Sequence, residues 1–517
     1  MIRSLRHRIR RSPVTYWIFP FIVLFPFMLQ VSTDNLYMIA TGEYIIKHGI
    51  PKTNPFAVVN GLDIVIQNWL YCVLQYLVSR KIGLTGIQLL SVVQYLIFLP
   101  TCFYLQKKRN CANLQAGTFT LYSGVIMITV MGAARPAVLT FCLLLCVIIS
   151  LERYSEGTHR GSAAILVLPG TCVLCANLQS SNLVFFFCPV LAYLAAGYIV
   201  YSGDAKLKKK QDIHEEKKEM VHSAWFMIGL VGIALALSCV LNPYGVDGAL
   251  YLFRSYGHVS ADELLPISLF SWNGFLSVGS LFLMGIVIQG WKPRILSGGT
   301  TDYYHLFLLL GFGVLSLTCI RNLLFWIPAL FLSWKEVCRL FCPVKMIMKA
   351  FPSIKHAFLH SGVLARIAAG LLAVFFISIW GENLKIIRPG IIDTQISRYQ
   401  DGDLVLKMKE AGMAFDGKRE FPGSPVMMLY GAKVIMEPRQ EIYDRPINHK
   451  EDLREEYEFL GNEAGKEEID DFFKTHTFDY YLAQKGSKLD LYFQMSGTYE
   501  RTFEENQVVL YLPKGGT

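Results

Sequence analysis

Charge is what this 517-residue chain has little of: Asp, Glu, Lys and Arg make up 17% of it, against 53% hydrophobic residues. That balance excludes a soluble globular protein, and the abundance of Leu, Ile, Val and Phe excludes disorder. Cysteine is missing beyond Cys342, so the C-terminal part has no disulfide framework; the twelve cysteines before it lie mostly in or beside apolar blocks. Cys172 and Cys175 have the spacing of half a metal site, but with no second pair or histidines in register they read as small packing residues. His48, His258 and His305 stand isolated. There is no phosphate-cradling glycine loop, no dinucleotide fingerprint and no EF-hand spacing, and nothing points to nucleic acid.

Apolar blocks dominate what is there. A helix needs about 20 residues to cross a bilayer, and eleven stretches qualify as candidates: 16–32, 84–105, 115–133, 136–151, 163–176, 183–201, 222–241, 271–291, 303–319, 322–334 and 363–381, of which the fifth and tenth are short. The N-terminus MIRSLRHRIRR carries five arginines, which the positive-inside rule places in the cytoplasm. Residues 64–79 are also apolar, but counting them as a span would put Lys107, Lys108 and Arg109 outside, so they read as an amphipathic or re-entrant helix at the outer surface. With that choice the Lys-rich run 206–218 falls inside, and the net charge of +9 becomes chiefly a topology signal. The expectation is a multi-pass protein of the plasma membrane. Residues 1–381 form an α-helical polytopic bundle with long outer loops at 33–83 and 242–270. Residues 382–517 form an extracytoplasmic α/β domain, with strand-like runs at 425–437, 478–483 and 507–512 and an acidic helical segment around 449–474.

Function concentrates in long loops. The first opens Ser32-Thr33-Asp34-Asn35, placing a carboxylate where the first span meets the outer interface, and Leu36 to Lys47 has the period of a helix lying along the membrane surface. A partly desolvated carboxylate at the mouth of a membrane cavity can serve as a general base, which makes Asp34 the candidate catalytic residue. A competing role for Thr33-Asp34 is to cap the helix that follows. Glu43 lies on another face of that helix and is a secondary candidate.

The stretch Asp34, Ile39-Ala40-Thr41-Gly42-Glu43, Gly49-Ile50-Pro51, Asn54-Pro55-Phe56, then Gly61 and Asn68-Trp69-Leu70, resembles the first outer loop of bacterial GT-C-type membrane glycosyltransferases. Arg135-Pro136, Ala176-Asn177-Leu178, Leu241-Asn242-Pro243-Tyr244-Gly245, Arg321-Asn322 and Glu437-Pro438-Arg439-x-Glu441-x-Tyr443 follow in order, so the resemblance runs through almost the whole chain. It implies a GT-C-like bundle whose outer cavity takes a sugar from a polyprenyl-phosphate carrier, with Asp34 as the base. It also implies an envelope glycan, lipid or protein as acceptor, membrane lipid as surroundings, and Glu263 orienting the acceptor.

The leaving phosphate of such a donor needs cations, and Arg135, Arg254 and Arg321 are the few outer-side arginines outside the tail; each has headgroup snorkelling as its competing role. Asp34 and Glu263 together would make a carboxylate pair able to hold a divalent cation, but no metal-ligand spacing occurs and no cofactor is expected. Tyr244, Tyr251, Trp272 and Trp326 read as an interfacial belt or as the lining of the carrier's lateral access. An acceptor hydroxyl attacking the anomeric carbon directly would invert its configuration. The chain departs from the resemblance at Met38, Gln67 and Gln179, where related sequences commonly carry histidine. That keeps a catalytically inactive scaffold as an alternative, beside a transporter or flippase of lipid-linked or small polar substrates.

Overall fold

The computed structural model describes residues 13–132, 134–156, 165–204, 210–255, 266–295, 299–340, 378, 380–381, 383–439, 443, 457, 459–461 and 464–515. Side chains at 203–204, 210–220, 254–255, 291–295 and 340 are outside the description. Helix α1 (Thr15–Met28) is followed, after a bend of 83°, by α2 (Thr33–His48), and α3 (Trp69–Ile82) closes the 33–83 connection. The bend is a capped restart: the side chain of Asn35 accepts from the backbone N–H of Ser32 at 2.9 Å and starts α2.

Then come α4 (Leu84–Lys108), α5 (Asn113–Met131), α6 (Ala137–Ser155), α7 (Val167–Leu178), α8 (Cys188–Asp204), α9 (Lys210–Val240), the short α10 (Gly245–Ala249) and α11 (Tyr251–Ser255), α12 (Trp272–Ile295) and α13 (Thr300–Leu315). Among the described residues six helical stretches are long and apolar enough to cross a membrane, or seven if α1 and α2 make one broken span. Eight of the eleven expected spans fall on α1, α4, α5, α6, α8, α9, α12 and α13, although α13 has only 16 residues. The fifth shrinks to the 12-residue α7, and the tenth becomes a 3-10 turn (Arg321–Phe325) running into a short helix (Trp326–Phe331). The eleventh lies almost wholly outside the described residues. Trp326, expected at the interface, is fully buried in the bundle core, whereas Trp272 is exposed.

The tail folds as a five-stranded mixed sheet in the order β2-β1-β3-β5-β4, with β1 (Arg419–Phe421), β2 (Lys433–Val434), β3 (Tyr480–Gln484), β4 (Tyr499–Glu505) and β5 (Val508–Pro513). β1 runs parallel to both β2 and β3, and β5 pairs antiparallel with β3 and β4. The helix Lys466–Thr475 lies on the connection from β2 back to β3. It buries Ile469, Phe472 and Phe473 at helical spacing and leaves its acids outward, the solvated acidic face expected there. The run 425–437 is not one strand. Pro425–Met428 forms a helical turn capped by Ser424, and only Lys433–Val434 pairs in the sheet. Gly431 between them takes φ +88°, a conformation that breaks any continuous strand.

The apolar cores of the tail are shared with the bundle side. Ala57, Val58 and Leu62 of the loop between α2 and α3 join Phe421, Phe473 and Tyr511, while Leu36 and Ile39 of α2 and Leu84 and Ile87 of α4 join Val405, Val426 and Leu510. The loop even bonds to the sheet edge: Val58 N–H donates to Val434 O at 3.0 Å, and Val434 N–H to Phe56 O at 2.8 Å. The tail therefore sits directly on the elements that carry Asp34.

Candidate active site

Asp34 stands in the first turn of α2, where the N-terminal dipole favours an anion. The cap is made by Ser32 and Asn35, which leaves the Asp34 carboxylate to pair with Arg135 in the α5–α6 connection. Their side chains keep 28% and 21% exposure, so the pair is sheltered yet open. Arg135 is placed by its neighbours: Ala134 O accepts from Asn35 at 3.1 Å and from Gln75 at 3.2 Å, and Arg135 O accepts from Gln94 at 3.2 Å. Residues far apart in the chain thus fix one carboxylate–guanidinium contact.

α2, expected to lie along the membrane surface, turns 83° from α1 and is covered by protein. Asn35 through Gly42 are buried without interruption, because α3, the Ala134–Arg135 turn and the tail cover it from several sides. Gly42 allows the closest of these contacts: a Cβ there would stand 2.1 Å from the carbonyl oxygen of Cys72 on α3. Glu43 is turned elsewhere, in a 2.7 Å pair with the exposed Lys47 one turn on. Arg321 is half-buried at the head of the 3-10 turn, whose Phe325 packs on Phe141 of α6 at 5.7 Å and on Phe185 at 4.4 Å. Arg321 therefore shares the Arg135 end of the bundle. The short helix α11 carries Arg254, whose side chain, like all of Glu263, is outside the description. Among the described residues no group of three or more His, Cys, Asp or Glu side chains converges in a way that could hold a metal.

The recurring Asn-containing motifs are joints. Asn54 accepts from Phe56 N–H at 3.0 Å and reaches Glu437 of the tail at 3.2 Å, Trp69 Nε1 donates to Asn177 at 2.9 Å, and Asn242 donates to Ala176 O at 2.7 Å. The Tyr244 hydroxyl ties the seventh-span motif to Pro51 O at 3.0 Å. These bonds bring Gln67 and Gln179 together, with Ser180 N–H donating to Gln67 O at 2.9 Å, and the Oε1 atom of each glutamine is buried without a partner among the described residues. Sequence reasoning passed over Arg439, which appeared only inside a tail motif. It is 5% exposed, pairs through one nitrogen with buried Glu437, and stands over the Tyr37 ring at 5.5 Å. The carboxylate of Glu437 outweighs burial and raises the Arg439 pKa above the ordinary guanidinium value, so it stays charged.

This arrangement of bundle and tail has a solved counterpart. The oligosaccharyltransferase of Archaeoglobus fulgidus, tethered through a disulfide to an acceptor peptide containing the NVT sequon, superposes with a TM-score of 0.53 at 10% identity, over 91% of this chain and 69% of that one. Its apo form gives 0.50 at the same identity and coverage. The fold is GT-C. No family model matches the chain, and no curated protein matches it in sequence. The resemblance read from the motifs is thus met at the level of the fold, through an archaeal oligosaccharyltransferase and not through a bacterial polyprenyl-phosphate-sugar family.

Proposed function

We propose that this GT-C protein is a membrane glycosyltransferase that moves a sugar from a polyprenyl-phosphate carrier to an acceptor on the outer face of the plasma membrane, in building or modifying an envelope glycan. The observation that carries the reading is the Asp34–Arg135 pair, held half-open where α2, the α5–α6 connection and the tail meet. In this reading Asp34 takes the proton of the acceptor hydroxyl as its oxygen attacks the anomeric carbon. The bond from that carbon to the phosphate oxygen breaks, the phosphate leaves with the electron pair, and the configuration inverts. Arg135 orients the carboxylate and, with Arg254 and Arg321, meets the charge growing on the phosphate. Glu263 acts on the acceptor side, whereas Glu43, paired with Lys47, takes no part. A divalent cation, if the reaction uses one, would be held by Asp34 and Glu263, and it would neutralise the leaving phosphate.

The carrier approaches from the bilayer, and α8, α9 and α12 offer it a strongly apolar outer face with Tyr198, Trp225 and Phe282 exposed. The N-terminus is cytoplasmic and the tail domain extracytoplasmic in this reading, supported by the five arginines before the first span. The test is to incubate the purified chain in proteoliposomes with a panel of polyprenyl-phosphate sugars and cell-envelope acceptors. Release of polyprenyl phosphate coupled to sugar transfer is expected from at least one donor. Transport of the intact lipid-linked sugar across the vesicle without bond cleavage would replace this reading with a flippase.

A further inference from the structure

The Nε and Nη1 atoms of Arg439 are buried and have no hydrogen-bond partner among the described residues, while Glu437 engages Nη2 alone. A guanidinium is a donor and never an acceptor, so the group that completes it supplies acceptor oxygens. A hydroxyl would add a donor needing its own partner; a phosphate oxyanion would not. We infer that Arg439 and Tyr37 form a phosphate-binding site at the seam between the tail sheet and α2.

Three further observations support the assignment. Glu437 neutralises Arg439, which explains how a cation is held at so buried a place. The Arg439 guanidinium stands over the ring of Tyr37 at 5.5 Å, and Tyr37 shares its helix with Asp34, the partner of Arg135. Tyr37 also follows Asp34 by three residues on α2, about 4.5 Å of helical rise, so a phosphate held there lies one turn from the carboxylate. Both nitrogens are closed to bulk water, so the oxyanion reaches them when the seam parts beside the 3.2 Å bond from Asn54 to Glu437.

The ligand is either the phosphate that links sugar to carrier or free phosphate, and the first choice rests on the function proposed above. The experiment uses the full chain in detergent micelles, titrated with inorganic phosphate and separately with micelles containing polyprenyl monophosphate. The readouts are the thermal unfolding midpoint and the phosphorus NMR linewidth. A saturable rise in the wild-type midpoint is expected, with the apparent Kd at least tenfold weaker in Arg439→Lys and binding lost in Arg439→Gln. Response to the lipid phosphate alone assigns the site to the carrier; response to inorganic phosphate alone assigns it to the free ion. No saturable response of the wild type to either probe overturns the site, as does unchanged affinity in Arg439→Lys, which carries the comparison should Arg439→Gln fail to fold. Phosphate binding that depends on Arg439 in a chain that transfers no sugar would overturn the proposed function and leave the site standing.

Discussion

Asp34 and Glu43 are two acids on one helix with different surroundings. Asp34 meets a cation supplied from 101 residues away, whereas Glu43 meets Lys47, exposed and one turn on in the same helix. Exposed pairs of the second kind are worth about 0.3–0.5 kcal/mol. Glu43→Gln should therefore shift the unfolding midpoint by a degree or so at most and leave transfer within about threefold of wild type; a loss of tenfold or more in the transfer assay would restore Glu43 to the centre of the site. The acid Asp34 and the cation Arg135 were legible singly, from their places beside apolar blocks. Their pairing was not, because it depends on Asn35, Gln75 and Gln94 fixing the Ala134–Arg135 turn through bonds that no local pattern encodes. Arg439 was less legible still, since its importance comes from what its nitrogens lack.

At the scale of elements, apolar periodicity located most helices and two of the tail strands, β3 and β5, whose runs are aromatic and β-branched. It located α2 without revealing the layer that the tail lays over it, and it merged 425–437, where Pro425 starts a helical turn and Gly431 reverses the chain. β1 was invisible as a three-residue strand, yet it carries the fully buried Glu420, whose carboxylate accepts from Ser424 N–H at 2.8 Å and Gly423 N–H at 3.3 Å. Burial pushes its pKa up from 4.5 to about 8, against the pull of those two bonds. A raised folded-state pKa means that Glu420 supports the fold fully below about pH 4.5 and that this support is lost as pH rises through about 8. Hydrogen exchange of tail peptides should accordingly quicken from pH 5 to 8 beyond the intrinsic rate increase, and Glu420→Gln should flatten that excess. Equal slopes in both proteins would refute the buried-acid explanation.

Across the whole molecule, α6 links two ionic centres. Its N-terminal end adjoins Arg135; Glu152, about 25 Å further along by helical rise, accepts from Arg109 Nε and Nη2 at 2.8 to 3.0 Å and contacts His305 at 2.9 Å. Arg109 also donates to Phe331 O at 3.2 Å, so the cluster gathers α4, α6, α13 and the helix Trp326–Phe331. Removing one member of a buried pair costs about 3–5 kcal/mol. Glu152→Ala should lower detergent stability by that order without altering the donor preference of whatever protein remains folded, as a midpoint measurement paired with the transfer assay would record; a changed donor preference would mean that the far end communicates with the site.

In the proposed topology these two centres lie on opposite faces of the membrane. The account stands or falls on Asp34→Asn, a near-isosteric change that keeps a polar group beside Arg135 and removes the base. Measured as sugar transferred from a polyprenyl-phosphate donor by equal amounts of folded protein, its rate should fall by about 10²–10⁴-fold. Transfer at the wild-type rate would contradict the account.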